Sequence, residues 1–157
     1  MSELREKIRF EVRGLPVPQG SARGFVVGHH AVITSDNKSL AAWRRLVADV
    51  AQPHAPPELW DGPVSVSLEF WLPQPLSRPN TIGRGKKKRA LRIWPDRKPD
   101  LDKLVRSVID SLTNIVYRDD SQVVRIYAVK DYGPPGVDVQ VERVPVKTGP
   151  LVPGPSG

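Results

Sequence analysis

Two pairs of aspartates flank one amphipathic segment, and this arrangement most constrains how the chain can fold. Asp100 and Asp102 stand at its start, and Asp119 and Asp120 follow its end. Apolar residues recur between them at three- and four-residue intervals, which predicts a helix over residues 100–114. These apolar positions are Leu101, Leu104, Val105, Val108 and Leu112. Such a helix spans ~20 Å, so the acids meet only if the chain folds back or a second subunit contributes one pair.

The acids lie within a strongly basic chain. Lys and Arg number 24 against 17 Asp and Glu, which gives a formal charge of +7 and a pI near 10.0. This balance favours a polyanionic partner, with nucleic acid first among the candidates. A protein that only bound nucleic acid would gain nothing from carboxylates there, because each would repel phosphate. Carboxylates that hold Mg²⁺ beside cations that hold phosphate are typical of a metal-dependent nuclease.

Each acid also has an ordinary structural interpretation. Asp100 is a good N-cap for the predicted helix, and Asp119 and Asp120 are common turn residues. Arg106 stands four residues after Asp102 and can pair with it on the helix surface. Spacing alone therefore leaves both a metal site and a set of caps and turns open.

Composition favours one domain over residues 1–144, followed by a Pro/Gly-rich tail over 145–157 that we expect to be disordered. Cysteine is absent, and His29, His30 and His54 lack the spacing of a zinc site. The N-terminus has no apolar stretch typical of a signal peptide, and no segment approaches the ~20 apolar residues of a membrane span. These features predict a cytoplasmic protein with no membrane partner.

The remaining pattern predicts an α+β fold, with a small mixed sheet and two main helices. The first helix is expected over 38–51, where apolar residues again recur at helical spacing. Alternating apolar residues predict strands over 7–14, 63–72, 122–131 and around 137–141. A short hairpin is expected from the segments 25–27 and 31–34.

Basic residues form a second candidate for contact with nucleic acid. Five of them crowd a Pro/Gly-rich loop over 73–92, and these are Arg84, Lys86, Lys87, Lys88 and Arg89. Three more, Arg97, Lys98 and Lys103, stand beside the first pair of acids. We predict that all eight contact phosphate, although a solvated, mobile loop is the competing interpretation of the five.

Three motifs together resemble the RusA family of Holliday-junction resolvases, which is common in phages and prophages. They are Lys98-Pro-Asp-Leu-Asp-Lys-Leu104, Val108-Ile-Asp-Ser-Leu112 and Val116-Tyr-Arg-Asp-Asp-Ser-Gln-Val-Val124. The order of strands and helices extends the resemblance to about residues 7–143.

The resemblance implies a RusA-like fold that acts as a homodimer on four-way DNA junctions. It implies paired symmetric nicks with Mg²⁺, or with Mn²⁺ in its place, in DNA recombination and repair. By position, Asp100, Asp102 and Asp120 would be the catalytic and metal-binding acids, with Asp119 as a further metal ligand. Arg106 would take the catalytic position of a lysine, and Lys103 stands where the family commonly has asparagine.

The resulting hypothesis is a Mg²⁺-dependent, structure-selective endodeoxyribonuclease that resolves Holliday junctions. One alternative is a non-catalytic, basic nucleic-acid-binding protein. The other is a nuclease that cuts flaps or forks without selectivity for junctions.

Overall fold

The computed structural model describes residues 6–20, 25–27, 30–32, 35–146 and Gly149. Eight strands and two helices follow one another along these residues. In chain order they are β1 (Lys7–Arg13), β2 (Phe25–Val27), β3 (His30–Val32), α1 (Ser35–Ala51), β4 (Val64–Leu72), β5 (Thr81–Ile82), β6 (Arg89–Ala90), α2 (Leu101–Leu112), β7 (Val123–Tyr132) and β8 (Gly136–Arg143).

A four-stranded mixed sheet in the order β1-β8-β4-β7 forms the centre of the molecule. Strand β8 runs antiparallel to both β1 and β4, whereas β7 runs parallel to β4. Alternation along β4 buries Val64, Val66, Leu68 and Phe70 completely, as the sequence pattern requires. In this sheet β7 has β4 as its one neighbour and forms an edge.

The two helices pack together and cover the apolar face of the sheet. Helix α1 contributes Trp43 and Val47 to the core, and α2 contributes Leu104 and Val108. All four side chains are at most 3% exposed. Because the cover is on one face, the opposite face carries the polar residues of each strand.

The predicted α+β architecture is confirmed. Helix α1 begins three residues earlier than the apolar pattern suggested, at Ser35, and α2 is shorter than 100–114 by one residue at the start and two at the end. The hairpin β2–β3 pairs Val27 with His30, so its second strand begins one residue before the predicted 31–34. The predicted tail over 145–157 falls mostly outside the described residues and stays a prediction.

The basic loop over 73–92 contains a short hairpin that sequence periodicity did not indicate. Strands β5 and β6 pair Thr81 with Ala90 and Ile82 with Arg89. The turn between them places Gly83 at φ 93° and Gly85 at φ 60°, a region that glycine enters without steric cost. Two-residue strands are too short for a pattern of alternation to show.

In the part of the chain that the structure describes, no helix is long and apolar enough to cross a membrane.

Candidate active site

Asp100 and Asp102 lie at the start of α2. Asp100 occupies the N-cap position with extended backbone (φ −68°, ψ 136°), yet its side chain makes no capping hydrogen bond. Its backbone carbonyl accepts from the Leu104 N–H at 3.1 Å, as the first helical hydrogen bond. Asp102 is exposed, with its Oδ2 3.2 Å from Nζ of Lys103. The helix therefore does not use the Asp100 carboxylate for capping, and both acids remain available to a ligand.

Lys130 fixes the segment that leads into these acids. Its ammonium donates to the carbonyl of Arg97 at 2.7 Å and to the carbonyl of Pro99 at 2.8 Å. Lys130 lies near the end of β7, so the edge strand and the start of α2 are held together there. Lys130 could not be recognised from the sequence, because a lysine on a half-exposed strand carries no local signal of such a contact.

After α2 the chain reverses and returns alongside the helix. Asn114 adopts φ 68°, a left-handed conformation that asparagine tolerates better than most residues, and its N–H donates to the Tyr117 carbonyl at 2.7 Å. The buried Tyr117 hydroxyl donates to the carbonyl of Ile109 at 2.6 Å. Burial, followed by the charges of Asp120 and Asp110, raises the pKa of Tyr117. Tyr117 thus ties the turn that carries the second pair of acids to the last turns of α2.

Asp119 has a structural role in that turn. Its Oδ1 accepts from the Ser121 N–H at 2.8 Å, and Oε1 of Gln122 accepts from the Asp119 N–H at 3.0 Å. The two bonds form a reciprocal cap of a short 3₁₀ turn over Asp120–Gln122. Hydrogen bonds from Ser121 are the main reason that the pKa of Asp119 is lowered. In the second pair, the Asp119 carboxylate is therefore engaged in the cap, whereas the Asp120 carboxylate is not.

Asp120 faces two other carboxyl groups, those of Asp119 and Asp110. The neighbouring Asp119 raises the pKa of Asp120 most, followed by partial desolvation and by Asp110. Asp110 projects from α2 and accepts a hydrogen bond of 2.6 Å from Nε2 of Gln19. The Gln19 N–H in turn donates to the carbonyl of Lys103 at 2.9 Å. Asp110 and Gln19 were not predicted as site residues, because they are 91 positions apart in the sequence.

The structure does not bring the two pairs of acids together within one subunit. Asp102 and Asp110 are eight positions apart on α2, which corresponds to about 12 Å. Asp120 lies beside Asp110 and therefore far from Asp100 and Asp102. Across residues 6–20, 25–27, 30–32 and 35–146, no three acids or histidines form a group that could hold a metal ion.

Comparison with known proteins decides the family. The sequence matches the family described as "Endodeoxyribonuclease RusA" over residues 14–142. The chain belongs to the RusA endodeoxyribonuclease family. It is also 36% identical over 138 residues to the uncharacterized protein YqaN of Bacillus subtilis (strain 168), a match that covers 87% of this chain and 96% of that protein. The resemblance predicted from the three motifs is thereby confirmed, and the chain is an endodeoxyribonuclease rather than a binding module.

RusA-family enzymes act on branched DNA junctions and generally depend on a divalent metal. The donor chemistry in this chain fits such an ion, because Mg²⁺ prefers carboxylate oxygens and Asp100 is not engaged in capping. Asp102 and Asp120 are exposed as well. The residue types thus suit the metal, while one subunit divides them between the two ends of α2.

The predicted DNA-binding residues of this RusA-family protein lie in two regions, the β5–β6 hairpin and the start of α2. Arg84, Lys86, Lys87, Lys88 and Arg89 are all exposed on the β5–β6 hairpin. Among the described residues none of these five side chains makes a hydrogen bond or an ion pair, so their charges are available to phosphate. Arg97, Lys98 and Arg106 are exposed around the start of α2, where Lys103 pairs with Asp102.

Two further cations lie near the second group of acids. Arg44 and Arg45 of α1 line a cleft of about 440 Å³ together with Asp110. The amphipathic pattern of α1 does not distinguish them from ordinary surface arginines. Cations therefore accompany the acids at both ends of α2.

Proposed function

We propose that this protein resolves four-way DNA junctions by paired symmetric nicks, as a Mg²⁺-dependent homodimer. Each active site would combine Asp100 and Asp102 from one subunit with Asp120 from the other. The single observation that carries this proposal is the separation of the acids in one chain. A site built from one subunit would leave Asp120, which lies beside Asp110, about 12 Å from Asp102 along α2, too far for one ion.

The surface between the two groups of acids is apolar, and its β7 part is exposed. Leu101, Val105 and Ile109 of α2 and Ile126 and Ala128 of β7 line a cavity of about 640 Å³. Ile126 is 50% exposed, and its neighbour Val124 is 61% exposed. An open sheet edge with large apolar side chains beside it is typical of a surface that another chain covers.

A twofold axis through the middle of β7 would complete both sites. Asp120 precedes the start of β7, and Lys130 near its other end contacts the segment before Asp100. Twofold pairing would place the start of one β7 beside the end of its copy, and so Asp120 beside the second copy's pair of acids. Homodimers of this symmetry are the commonest oligomers.

The metal, when bound by these acids, would polarise the scissile phosphate and lower the pKa of the attacking water. The chain's own cations have separate roles in the proposal. Lys98 and Lys103 would neutralise the neighbouring phosphates and set the register of the strand. Arg106, one turn after Asp102, would place its guanidinium against the charge that develops on the phosphate, in the bidentate geometry that arginine provides. We expect Asp119, which the cap engages, to support Asp120 rather than bind metal directly.

Mixed dimers of two inactive variants test the shared sites. Asp102→Asn and Asp120→Asn should each bind junctions and fail to cut them. If the sites are shared, a mixed dimer has one site with both changes and one site with neither. An equimolar mixture should then recover about a quarter of the wild-type nicking rate, because half of randomly formed dimers are mixed. The products should be single nicks rather than resolved duplexes.

A mixture of Asp100→Asn with Asp102→Asn is the matched control. Both changes affect the same pair, so no combination of these subunits yields an intact site, and nicking should stay absent. Sites built within one subunit would give no recovery in either mixture. Recovery in both mixtures would likewise contradict the assignment.

Selectivity is tested separately by the form of the DNA. We expect wild-type protein with Mg²⁺ to cut a mobile four-way junction and to leave a linear duplex of the same sequence intact. Equal cutting of a flap or a fork would favour the alternative nuclease without junction selectivity.

A further inference from the structure

A groove of about 450 Å³ opens directly beside the segment that leads into Asp100. Prolines from three separate parts of the chain make up half of its lining, and we call it the proline groove. These are Pro16, Pro18, Pro73, Pro75, Pro95 and Pro99. Its volume is within the ~300–1,000 Å³ typical of ligand sites. Its lining shares only Arg97 and Lys98 with the predicted DNA contacts, and none of its lining residues belongs to the dimer surface described above.

The groove is apolar inside and cationic at one side. Leu15, Val17 and the ring of Tyr132 add to the proline surface, and Leu15 remains 60% exposed. Arg97 and Lys98 are the charged residues of the lining, and both are exposed. An apolar slot with cations beside it matches a ligand that has a flat apolar part and an anionic part.

The walls of the groove are held in place before any ligand arrives. Proline has a fixed φ and little side-chain freedom, so an ordered proline surface loses little entropy on binding. The Arg97 and Pro99 carbonyls are anchored by Lys130 at 2.7 and 2.8 Å. Arg78 donates to the Tyr132 hydroxyl at 2.9 Å and to the Trp94 carbonyl at 3.2 Å. Hydrogen bonds thus hold Tyr132 and the segment that carries Pro95 to Pro99.

The groove also lies close to Asp100, one of the proposed metal-binding acids. Lys98 lines the groove, and Asp100 follows two residues later, which places their Cα atoms within about 7 Å of each other. A DNA strand whose phosphate lay at Asp100 would therefore bring a neighbouring nucleotide close to the groove, and the base is the flat, apolar part of that nucleotide.

We infer that the proline groove binds one unstacked nucleobase of the strand that is cut, next to the scissile phosphate. Leu15, Val17 and Tyr132 would contact the faces of the base, and Lys98 and Arg97 would bind the phosphates on either side of it. Unpairing is easiest where stacking is already interrupted, as at the centre of a junction. The inference rests on the proposed function, because it uses cutting at Asp100 and Asp102 to place the strand.

A base in this groove would give the enzyme a means of choosing where to cut. Apolar and aromatic contacts accept every base, and a modest preference among the bases comes from how strongly each one stacks. The groove would therefore determine sequence preference within a junction, whereas the acids determine the chemistry.

Fluorescence of 2-aminopurine tests the inference directly. The probe replaces one base at a time on either side of the cut position in a four-way junction, and full-length Asp102→Asn protein is added with Mg²⁺. We expect the fluorescence to rise at one position as the base leaves its stack. In Leu15→Asn, on the same Asp102→Asn background, the rise should be lost, and in Leu15→Met it should be kept. Leu76→Asn is the matched control, because Leu76 is fully exposed outside the groove.

Removal of the base gives the second measurement, in proteins that retain Asp102. An abasic nucleotide at the responding position should lower the cutting rate by about tenfold, the loss expected for one stacked base. Leu15→Asn should lower cutting of the normal junction similarly and have no further effect on the abasic one. Thermal unfolding checks that each variant is folded.

The outcomes separate this inference from the proposed function. Junction cutting with no fluorescence change at any position near the cut would overturn the groove as a base site and leave the proposed function intact. A Leu15-dependent rise without any junction cutting by the wild-type protein would support the groove and contradict the proposed function. Loss of the dimer in Leu15→Asn but not in Leu76→Asn would show that a second copy covers the groove, and would overturn the inference.

Discussion

Gln19 donates a 2.6 Å hydrogen bond from Nε2 to Oδ2 of Asp110, across 91 positions of the chain. This bond ties the loop after β1 to the helix that separates the two groups of acids. Because the Gln19 N–H also donates to the Lys103 carbonyl, one residue bridges two turns of α2. Gln19→Ala should therefore loosen Asp110 and, through it, Asp120.

We expect Gln19→Ala to reduce the nicking rate by about tenfold at saturating junction, with little change in KM. The reason is that the acids would be less well positioned, while the cations proposed to bind DNA are unchanged. Single-turnover nicking at several Mg²⁺ concentrations measures the effect. Gln19→Glu, which would place a fourth carboxyl group in the cluster, should be more damaging than Gln19→Ala. If Gln19→Ala changed KM and left the nicking rate at saturating junction unaltered, Gln19 would contact DNA rather than position the acids.

Lys130→Met should destabilise the protein and slow the cutting. The change removes two charge-assisted hydrogen bonds to carbonyls, which corresponds to a loss of about 1–3 kcal/mol in the free energy of unfolding. Urea unfolding measures the stability. A nicking assay measures the rate of cutting, which should fall if Asp100 is displaced. Lys38→Met, at an exposed position of α1, is the control and should resemble wild type in both assays. Wild-type stability in Lys130→Met would contradict the anchoring role.

Asp119 and Asp120 should respond differently to the same substitution. Asn is as good an N-cap as Asp, so Asp119→Asn should keep the 2.8 Å bond to Ser121, the wild-type melting temperature and most of the activity. Asp119→Ala should lower the melting temperature by about 2–4 °C through loss of the cap. Asp120→Asn should abolish cutting. Loss of cutting in folded Asp119→Asn would instead make Asp119 a metal ligand.

The raised pKa of Asp120 predicts how stability depends on pH without metal. The folded state holds the Asp120 proton more tightly than the unfolded state does. This contribution to stability is therefore fully present below the ordinary carboxyl pKa, about 3.9, and is lost as pH rises through the higher folded value. Melting of Asp120→Asn and wild type in EDTA from pH 3 to pH 7 measures it. The melting temperature of the variant should rise relative to that of the wild type as pH increases. A difference in melting temperature that does not change with pH would contradict the interaction of Asp120 with Asp119 and Asp110.

Ile126→Asp should separate the subunits without touching an acid of the site. A charge on the apolar surface of β7 and α2 should raise the dissociation constant of the dimer by about 100-fold or more. Light scattering after size-exclusion chromatography measures the mass, and nicking should fall with it. Val146→Asp is the control, because Val146 is 78% exposed and does not line that surface. A dimer that persists in folded Ile126→Asp would place the interface elsewhere.

Periodicity sufficed for the elements that have a strong apolar pattern. The alternation along β4 and the apolar stripe of α2 predicted their type and their position within two residues. Order in the sheet was not predictable, because a strand's own residues do not identify its neighbours, and so the edge position of β7 was not indicated. The hairpin β5–β6 was missed because two residues per strand show no period.

The candidate site was predictable only as far as local motifs extend. The motif made Asp100 and Asp102 candidates but could not show that the helix leaves the Asp100 side chain free of capping. Asp119 and Asp120 are adjacent and alike in sequence, and backbone geometry alone assigns the cap to one of them. Lys130, Gln19 and Asp110 act through contacts between distant segments, which a single sequence does not reveal.

The length of α2, which keeps Asp102 apart from Asp110 and Asp120, would have a consequence for when cutting can occur. A newly synthesised monomer would carry an incomplete set of acids at each end of α2. It would not cut DNA until it associated with a second subunit. At dilutions where few chains are associated, the reaction rate should grow with the square of the protein concentration. The length of one helix would then act as a safeguard against stray breaks in the genome.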